Sequence, residues 1–433
     1  MLTVLENCRV SPPPATVGDK SLPLTFFDTV WLLFFPINQI FFYEFPHPKS
    51  YFLETIVPKL KHSLSITLQH FFPFAGNLIV FPNPNHSFNG KKLEIRDVEG
   101  DSVALTFAEY DLDFNDLTGN HPRECHKFYP LVPLLGQATK VSDYVTIPLF
   151  SVQVTLFPNK GIAIGLTNHH CLCDASTRFN FLKAWTSIAK HGTDELFLAS
   201  GSLPFYERVI EYPESLEEIY FNQPGIETID EGYEIPHLVG GTDKARATLV
   251  LTQADINRLK KWLSIQSPTL EYVSSFSVAC AYMWSCIAKA RAQTDEQEGD
   301  DVERTLTKRS LLAGNKGFQT AAEVFGKALS ETLNNKDALL NDAETWLERA
   351  YEPVPMIGVS GTPKMKVYDI DFGWGKPKKH ETPSIDYNGS ISVNASKDSA
   401  GDIVIGISLP AKQMDAFISI SRDELESNFY DQD

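Results

Sequence analysis

The stretch that most restricts what this chain can fold into runs from Ser151 to Ala189. Ser151–Phe157 and Gly161–Thr167 are β-rich runs joined by Pro158-Asn159-Lys160-Gly161, a spacing that predicts a hairpin. In the second run Ile162, Ile164 and Leu166 share one side. The period of two carries that side on to Asn168 and His170 and leaves His169 on the other. Asp174 is then a good N-cap for a helix over Ala175–Ala189, with an apolar stripe that includes Phe179, Leu182 and Ile188. A strand that feeds a helix through so short a turn places His170 at the end of a sheet. Arg178 then projects from the helix one turn beyond the cap. Ligands and catalytic groups often occupy such junctions.

The rest of the chain repeats the mixture. Phe52–His70 reads as a helix, with Leu53, Ile56, Leu60, Leu64 and Leu68 at three- and four-residue spacing, Pro58 near its start, and Pro73 and Gly76 stopping it. Around Gly192–Pro213 the periodicity is lost, as in a connection between halves. Ala247–Ile265 reads as strand then helix, Ser274–Ala290 as a long buried helix and Gln319–Leu333 as an amphipathic one. Ala292–Arg309 is charged and nearly devoid of apolar residues, a solvent loop or linker. Ser390–Asn394, Asp402–Ser408 and Lys412–Ile420 close the chain as strand, strand and helix. The irregular alternation predicts an α/β fold of mixed sheets flanked by helices. At 433 residues the chain exceeds one compact core, so two domains are expected, 1–195 and 216–433, joined by a connecting loop at 196–215.

Charge removes one class of partner. Lys and Arg total 38 against 55 Asp and Glu, a formal net charge of −17, which leaves no basic face for nucleic acid. The N-terminus has no basic segment followed by an apolar core, so secretion is not expected. The apolar run Trp31–Tyr43 is short and broken by Pro36, Asn38 and Gln39, too little to span a bilayer. Cys8, Cys125, Cys171, Cys173, Cys280 and Cys286 are sparse and unpatterned, as suits a reducing compartment. The expectation is a cytoplasmic monomer without membrane or nucleic-acid partners.

The segment Asn168–Arg178, NHHCLCDASTR, admits three chemistries. A structural zinc site wants two ligand pairs separated in sequence, and no second knuckle accompanies His169, His170, Cys171, Cys173 and Asp174, so no metal is expected. Cys171 and Cys173 form C-x-C rather than C-x-x-C, and buried apolar thiols describe them better than a redox pair. A general base remains. The spacing His170-x-x-x-Asp174 is weak by itself, and in isolation a core histidine capped by a neighbour is the better reading.

A second motif changes that balance. Asp371-Phe372-Gly373-Trp374-Gly375-Lys376-Pro377, taken with His170–Asp174, resembles the BAHD acyltransferases. These plant enzymes move acyl groups from coenzyme A thioesters to alcohols or amines. The stretches Leu22–Asp28, Leu60–Leu78, Ser274–Cys286 and Leu311–Phe318 agree in order, so the resemblance covers nearly the whole chain. The chain is most similar to the anthocyanin and flavonoid glucoside malonyltransferases of that family. The resemblance implies a two-domain chloramphenicol-acetyltransferase-like fold with an active-site channel between the domains. The first domain would carry HxxxD, and the second the CoA-side segments and DFGWG. It further implies His170 as the base that takes a proton from the acceptor hydroxyl, and Asp174 as its structural support. Arg178 would hold the malonyl carboxylate. Ser274, Ser275, Asn315, Lys316 and Gly317 would lie on the CoA side, and Asp371, Gly373, Trp374 and Gly375 would form a structural turn that buries the indole. Malonyl-CoA would be a co-substrate, a glycosylated phenolic the acceptor, and no cofactor would be permanently bound. From spacing alone, Arg178 reads equally as an i,i+4 partner of Asp174.

Two departures stand out. The family usually has glycine where this chain has Cys173, and if that position needs positive φ the cysteine strains the turn. The family also carries a Tyr-Phe-Gly-Asn segment before the Leu311–Phe318 block, and here the acidic loop Thr294–Glu303 runs almost directly into Leu311. An active malonyltransferase, an acyltransferase using an acetyl or hydroxycinnamoyl donor, and a non-catalytic relative that binds without turnover all stay open.

Overall fold

Six strands form the sheet that carries the paired histidines: β1 (Leu2–Val10), β2 (Ile37–Glu44), β3 (Val103–Tyr110), β4 (Phe150–Phe157), β5 (Gly161–Asn168) and β6 (Lys379–Glu381). Their order is β1-β3-β4-β5-β2-β6. The expected hairpin forms, with β4 and β5 antiparallel from Phe157 opposite Gly161 to Phe150 opposite Asn168. Every residue of β4 and β5 is buried, so both faces of these strands are covered; one face is apolar, and the other includes Ser151, Gln153, Thr155 and Thr167. Gly165 has a steric reason: a Cβ there would come within 1.9 Å of the Leu131 carbonyl oxygen, so only glycine lets that segment pass.

The computed structural model describes residues 1–81, 93–208, 212–238, 243–270, 273–294, 307–334, 340, 342–351 and 357–427. They fall into two compact units, both assembled from separated segments. The first holds Met1–Thr118, His126–Gly240 and Val367–Ser384, and the second holds Gly119–Cys125, Gly241–Lys366 and Ile385–Asp433. This differs from a single division at 196–215. Residues 367–384 join the first unit because β6 adds to the free edge of β2, with Lys379 opposite Phe42. Gly119–Cys125 joins the second because Arg123–Glu124 pairs with the strand Lys244–Leu251.

The helices follow the reading with local corrections. Those that matter below are α1 (Phe26–Thr29, which the reading did not include), α2 (Val57–His70), α3 (Ala175–His191), α4 (Gln253–Gln266), α5 (Ser275–Thr294), α6 (Gly317–Asn334) and α7 (Ala411–Ser427). Pro58 sits in the first turn of α2, but α2 continues an earlier helical run. A helical run starts at Lys49 and passes through a π-turn, Phe52–Ile56, in which Val57 N–H donates to the Phe52 carbonyl. The wider turn precedes the proline and shifts the face, leaving Leu53 exposed while Ile56, Leu60, Leu64 and Leu68 are buried. On α3 the buried stripe uses Phe181 with Leu182, Trp185 and Ile188, and Phe179 is only half-buried.

In the second unit the strands Ile391–Ala395, Ile403–Pro410 and Lys244–Leu251 form the middle of a five-stranded sheet. Helices α4, α5, α6 and α7 contribute Leu259, Tyr282, Ala321 and Phe417 to the same core. The shortened stretch before Leu311 falls largely on residues 295–306, outside the described residues. Among the described residues no helix is long and apolar enough to cross a membrane.

Candidate active site

The strand-to-helix turn is built by hydrogen bonds that finish one element and start the next. β5 ends at Asn168, and the His169 N–H still donates to the Leu149 carbonyl at 2.8 Å. His170–Leu172 then makes one 3-10 turn, and the Asp174 carboxylate caps α3 by accepting from Thr177 N–H at 2.7 Å. Asn168 ties the two ends together. Its Nδ2 donates to the His169 carbonyl at 2.8 Å, and its Oδ1 accepts from Arg178 Nη1 at 3.2 Å.

The two histidines have different surroundings. His169 is 2% exposed; its Nδ1 accepts from Cys171 N–H at 3.2 Å, so the proton sits on Nε2. His170 is half-buried and stacked on Trp31, ring centroids 4.1 Å apart and planes 9° from parallel. Its Nδ1 is buried without a partner from another residue, so Nε2 is the nitrogen available to an incoming proton. Burial lowers the pKa of His170 to about 4; hydrogen bonding to its own backbone opposes the shift, the Arg178 cation adds to it, and Asp174 opposes it weakly. Burial, then the neighbouring ring, lowers His169 to about 4 as well. Both imidazoles are therefore neutral at physiological pH.

Arg178 does not pair with Asp174. Asp174 is exposed and committed to its cap, whereas Arg178 is 8% exposed, and no carboxylate lies within 4 Å of it among the described residues. A buried guanidinium with one neutral partner keeps donors free for an anion. Cys173 is not strained: its φ of −164° and ψ of 154° are extended backbone that any residue adopts. Burial pushes its thiol up to about 12 and that of Cys171 well above its usual range, so both stay protonated. Protonated thiols make poor metal ligands and poor redox nucleophiles. Among the described residues no group of three His, Cys, Asp or Glu could hold a metal ion.

The DFGWG segment sits in the same unit as His170, at the far end of α3. The Asp371 carboxylate accepts from Gly373 N–H at 2.8 Å, Gly375 N–H at 2.9 Å and Lys190 Nζ at 2.7 Å. Burial acts to raise its pKa, but those three donors outweigh it and hold the carboxyl below its ordinary range. Gly373 at φ +103° and Gly375 at φ +107° supply the left-handed backbone this loop requires. The Trp374 indole is half-buried rather than enclosed, stacked on Phe372 at 5.3 Å. Phe372 packs edge-on against Trp185 of α3 at 4.9 Å. The 17 residues of α3 separate this clamp from Asp174 by about 25 Å. The clamp steadies a helix and touches no reacting group.

The expected CoA-side residues all lie in the second unit. Ser274 Oγ caps α5 by accepting from Ser277 N–H at 3.0 Å, and Ser275 Oγ accepts from Lys260 Nζ at 3.0 Å. Asn315 and Lys316 are exposed in the turn between the short helix Arg309–Ala313 and α6. Gly317 is buried, and a Cβ there would come within 1.9 Å of the Leu312 carbonyl and 2.6 Å of Ser285 Oγ, so its role is close packing.

Sequence reasoning did not single out Trp31, Asn168 or Lys190 as site residues. Asn168 was within reach, since strand parity puts it on the side of His170. Trp31 lies 139 positions before His170, and nothing local marks it as a partner.

Comparison with known proteins adds an independent line. A family model described as the Transferase family matches residues 1–313 and 319–423. The malonyl-coenzyme A:anthocyanin 3-O-glucoside-6''-O-malonyltransferase of Dahlia pinnata is 51% identical over 456 residues, 98% of this chain and 98% of that one. That alignment is longer than this chain's 433 residues, so the relative carries residues with no counterpart here. Phenolic glucoside malonyltransferase 1 of Nicotiana tabacum is 37% identical over 426 residues, 91% of this chain and 92% of that one. Among solved structures, vinorine synthase superposes with a TM-score of 0.64 at 18% identity, over 97% of this chain and 98% of that one, a likeness of fold.

Proposed function

The chain belongs to the BAHD transferase family, and on that premise we propose that it transfers a malonyl group from malonyl-CoA to a sugar hydroxyl of an anthocyanin, flavonoid or phenolic glucoside. The acceptor reading leans on the malonyltransferases to which the chain is similar. The observation that carries the chemistry is His170, neutral, with Nδ1 buried and Nε2 left to accept a proton. A sugar hydroxyl with a pKa of roughly 15 is a poor nucleophile at neutral pH, so its proton must leave as the oxygen attacks the thioester carbonyl. His170 Nε2 takes that proton. The tetrahedral intermediate then collapses, and the imidazolium returns the proton to the departing CoA sulfur. Atoms balance: one C–S bond breaks, one C–O bond forms, and one proton passes from acceptor to thiol by way of the ring.

Asp174 supports the base by fixing the start of α3, and Arg178 takes the malonyl carboxylate through a bidentate guanidinium contact. Ser274, Ser275, Asn315 and Lys316 serve the CoA side, with Gly317 keeping its turn closed. The reading places the enzyme in the cytoplasm as a monomer with no permanent cofactor. Purified protein given malonyl-CoA and an anthocyanidin 3-glucoside should release free CoA thiol, and His170→Ala should lower that rate about 10²-fold or more. No thiol release from the folded wild-type protein would overturn the assignment.

A further inference from the structure

A catalytic imidazole must be held in one orientation, commonly by a carboxylate bonded to its second nitrogen. His170 has none. The Asp174 carboxylate is spent on Thr177 N–H, and Nδ1 of His170 has no partner from another residue. What lies against the ring is an indole. We propose that Trp31 is the positioning residue for His170, stacked flat against the imidazole. The proposal rests on the reading of His170 as the base.

The turn itself is short and heavily tied. α1 opens with a capping box in which the Asp28 carboxylate accepts from Thr25 N–H at 2.8 Å. Trp31 N–H then donates to the Asp28 carbonyl at 3.2 Å and Leu32 N–H to the Thr29 carbonyl at 3.0 Å. From outside, Gln223, itself 2% exposed, donates to the Thr29 carbonyl at 2.6 Å, and Arg208 pairs with Asp28 at 3.2 Å.

Two properties of the stack fit the role. Parallel rings at 4.1 Å resist rotation of the imidazole about its χ2 axis, because any tilt would drive it into the indole or lose the contact. The π-face also attracts a cation, so the stack is stronger for the imidazolium formed during reaction than for the neutral ring before it. Trp31 is 37% exposed, so the fold does not depend on burying it. Phe34 also meets the indole edge-on at 5.1 Å.

The test uses the full chain with malonyl-CoA and a phenolic glucoside, measuring kcat and KM for both substrates. Trp31→Leu should lower kcat about tenfold or more with both KM values within about twofold, and Trp31→Phe, which keeps a flat face, should restore most of the rate. A Trp31→Leu enzyme with wild-type kcat, beside an inactive His170→Ala control, would overturn the positioning role and leave the base in place. Equal loss in the Phe and Leu variants would overturn it as well. An active His170→Ala enzyme would remove the underlying reading, and this one with it.

Discussion

Replacing Arg178 by alanine should separate donor choice from catalysis. The guanidinium is 8% exposed, donates through Nη1 to Asn168 Oδ1 at 3.2 Å, and has no carboxylate within 4 Å among the described residues. Of its five N–H donors, most remain for an anion, and burial makes each of them stronger than it would be at the surface. A charge-assisted bond of this kind contributes roughly 1.5–3 kcal/mol, and about 1.4 kcal/mol is a factor of ten. The kcat/KM for malonyl-CoA should therefore fall about tenfold to a hundredfold. Acetyl-CoA has no such carboxylate, so its rate should hold, and the ratio of the two donors is the number to read. A second effect has a definite sign. The Arg178 cation helps keep the His170 ring unprotonated, so its removal eases protonation and should move the acid limb of the acetyl-CoA rate profile to higher pH. Arg178→Lys should rescue malonyl transfer only in part, since it keeps the charge and loses the fork. Initial rates of CoA thiol release, followed with both donors, decide the matter. Parallel declines for malonyl-CoA and acetyl-CoA would refute the carboxylate assignment.

Three further outcomes are expected. His169 and His170 both titrate near 4 in the fold against about 6.5 unfolded, so the unfolded chain binds more protons between those values. Stability should then fall as pH drops from about 6.5 to 4, with His169 alone accounting for on the order of 3 kcal/mol, and chemical denaturation of His169→Asn should show a flatter pH dependence. Asp371→Ala strips two backbone N–H groups and Lys190 of their acceptor, which should cost about 2 kcal/mol or more in a thermal melt while leaving the malonyl-to-acetyl ratio unchanged. The protein from its natural source should be heavier than the 48.5 kDa of this chain by the mass of the segment missing before Leu311, and intact mass spectrometry checks this.

The elements legible in the sequence were those whose pattern is local. The β4–β5 hairpin, the Asp174 cap and α5 follow from alternation, a capping residue and a long apolar helix, and all three stand where the residues put them. The π-turn before Pro58 escaped because periodicity has no sign for one extra residue in a turn. The division into units escaped for a different reason. β6 is three residues long, and its membership is decided by a vacant edge on β2, more than 300 positions earlier. Strand parity likewise gave His169 and His170 different surroundings, yet it stops applying at Asn168, where the strand ends. The 3-10 turn, and not alternation, then aims the two rings. Trp31 belongs to the same class: its partner is set by tertiary ties that no window of sequence contains.

The helix α3 has a consequence for how such a protein can diverge. Its first turn carries the cap and the Arg178 guanidinium, and its last turn carries Lys190, locked by Asp371. On the proposed role of Arg178, donor recognition and mechanical anchorage occupy opposite ends of one helix. A lineage exploring new acyl donors can vary positions 173 and 178 without loosening the fastening at 190 and 371. Extended backbone at Cys173 removes even the steric bar that a left-handed turn would impose. In a mutant library, changes at the near end should register as altered substrate ratios at constant melting temperature, and changes at the far end as the reverse. Innovation and robustness are here physically separable, and the length of the helix is what separates them.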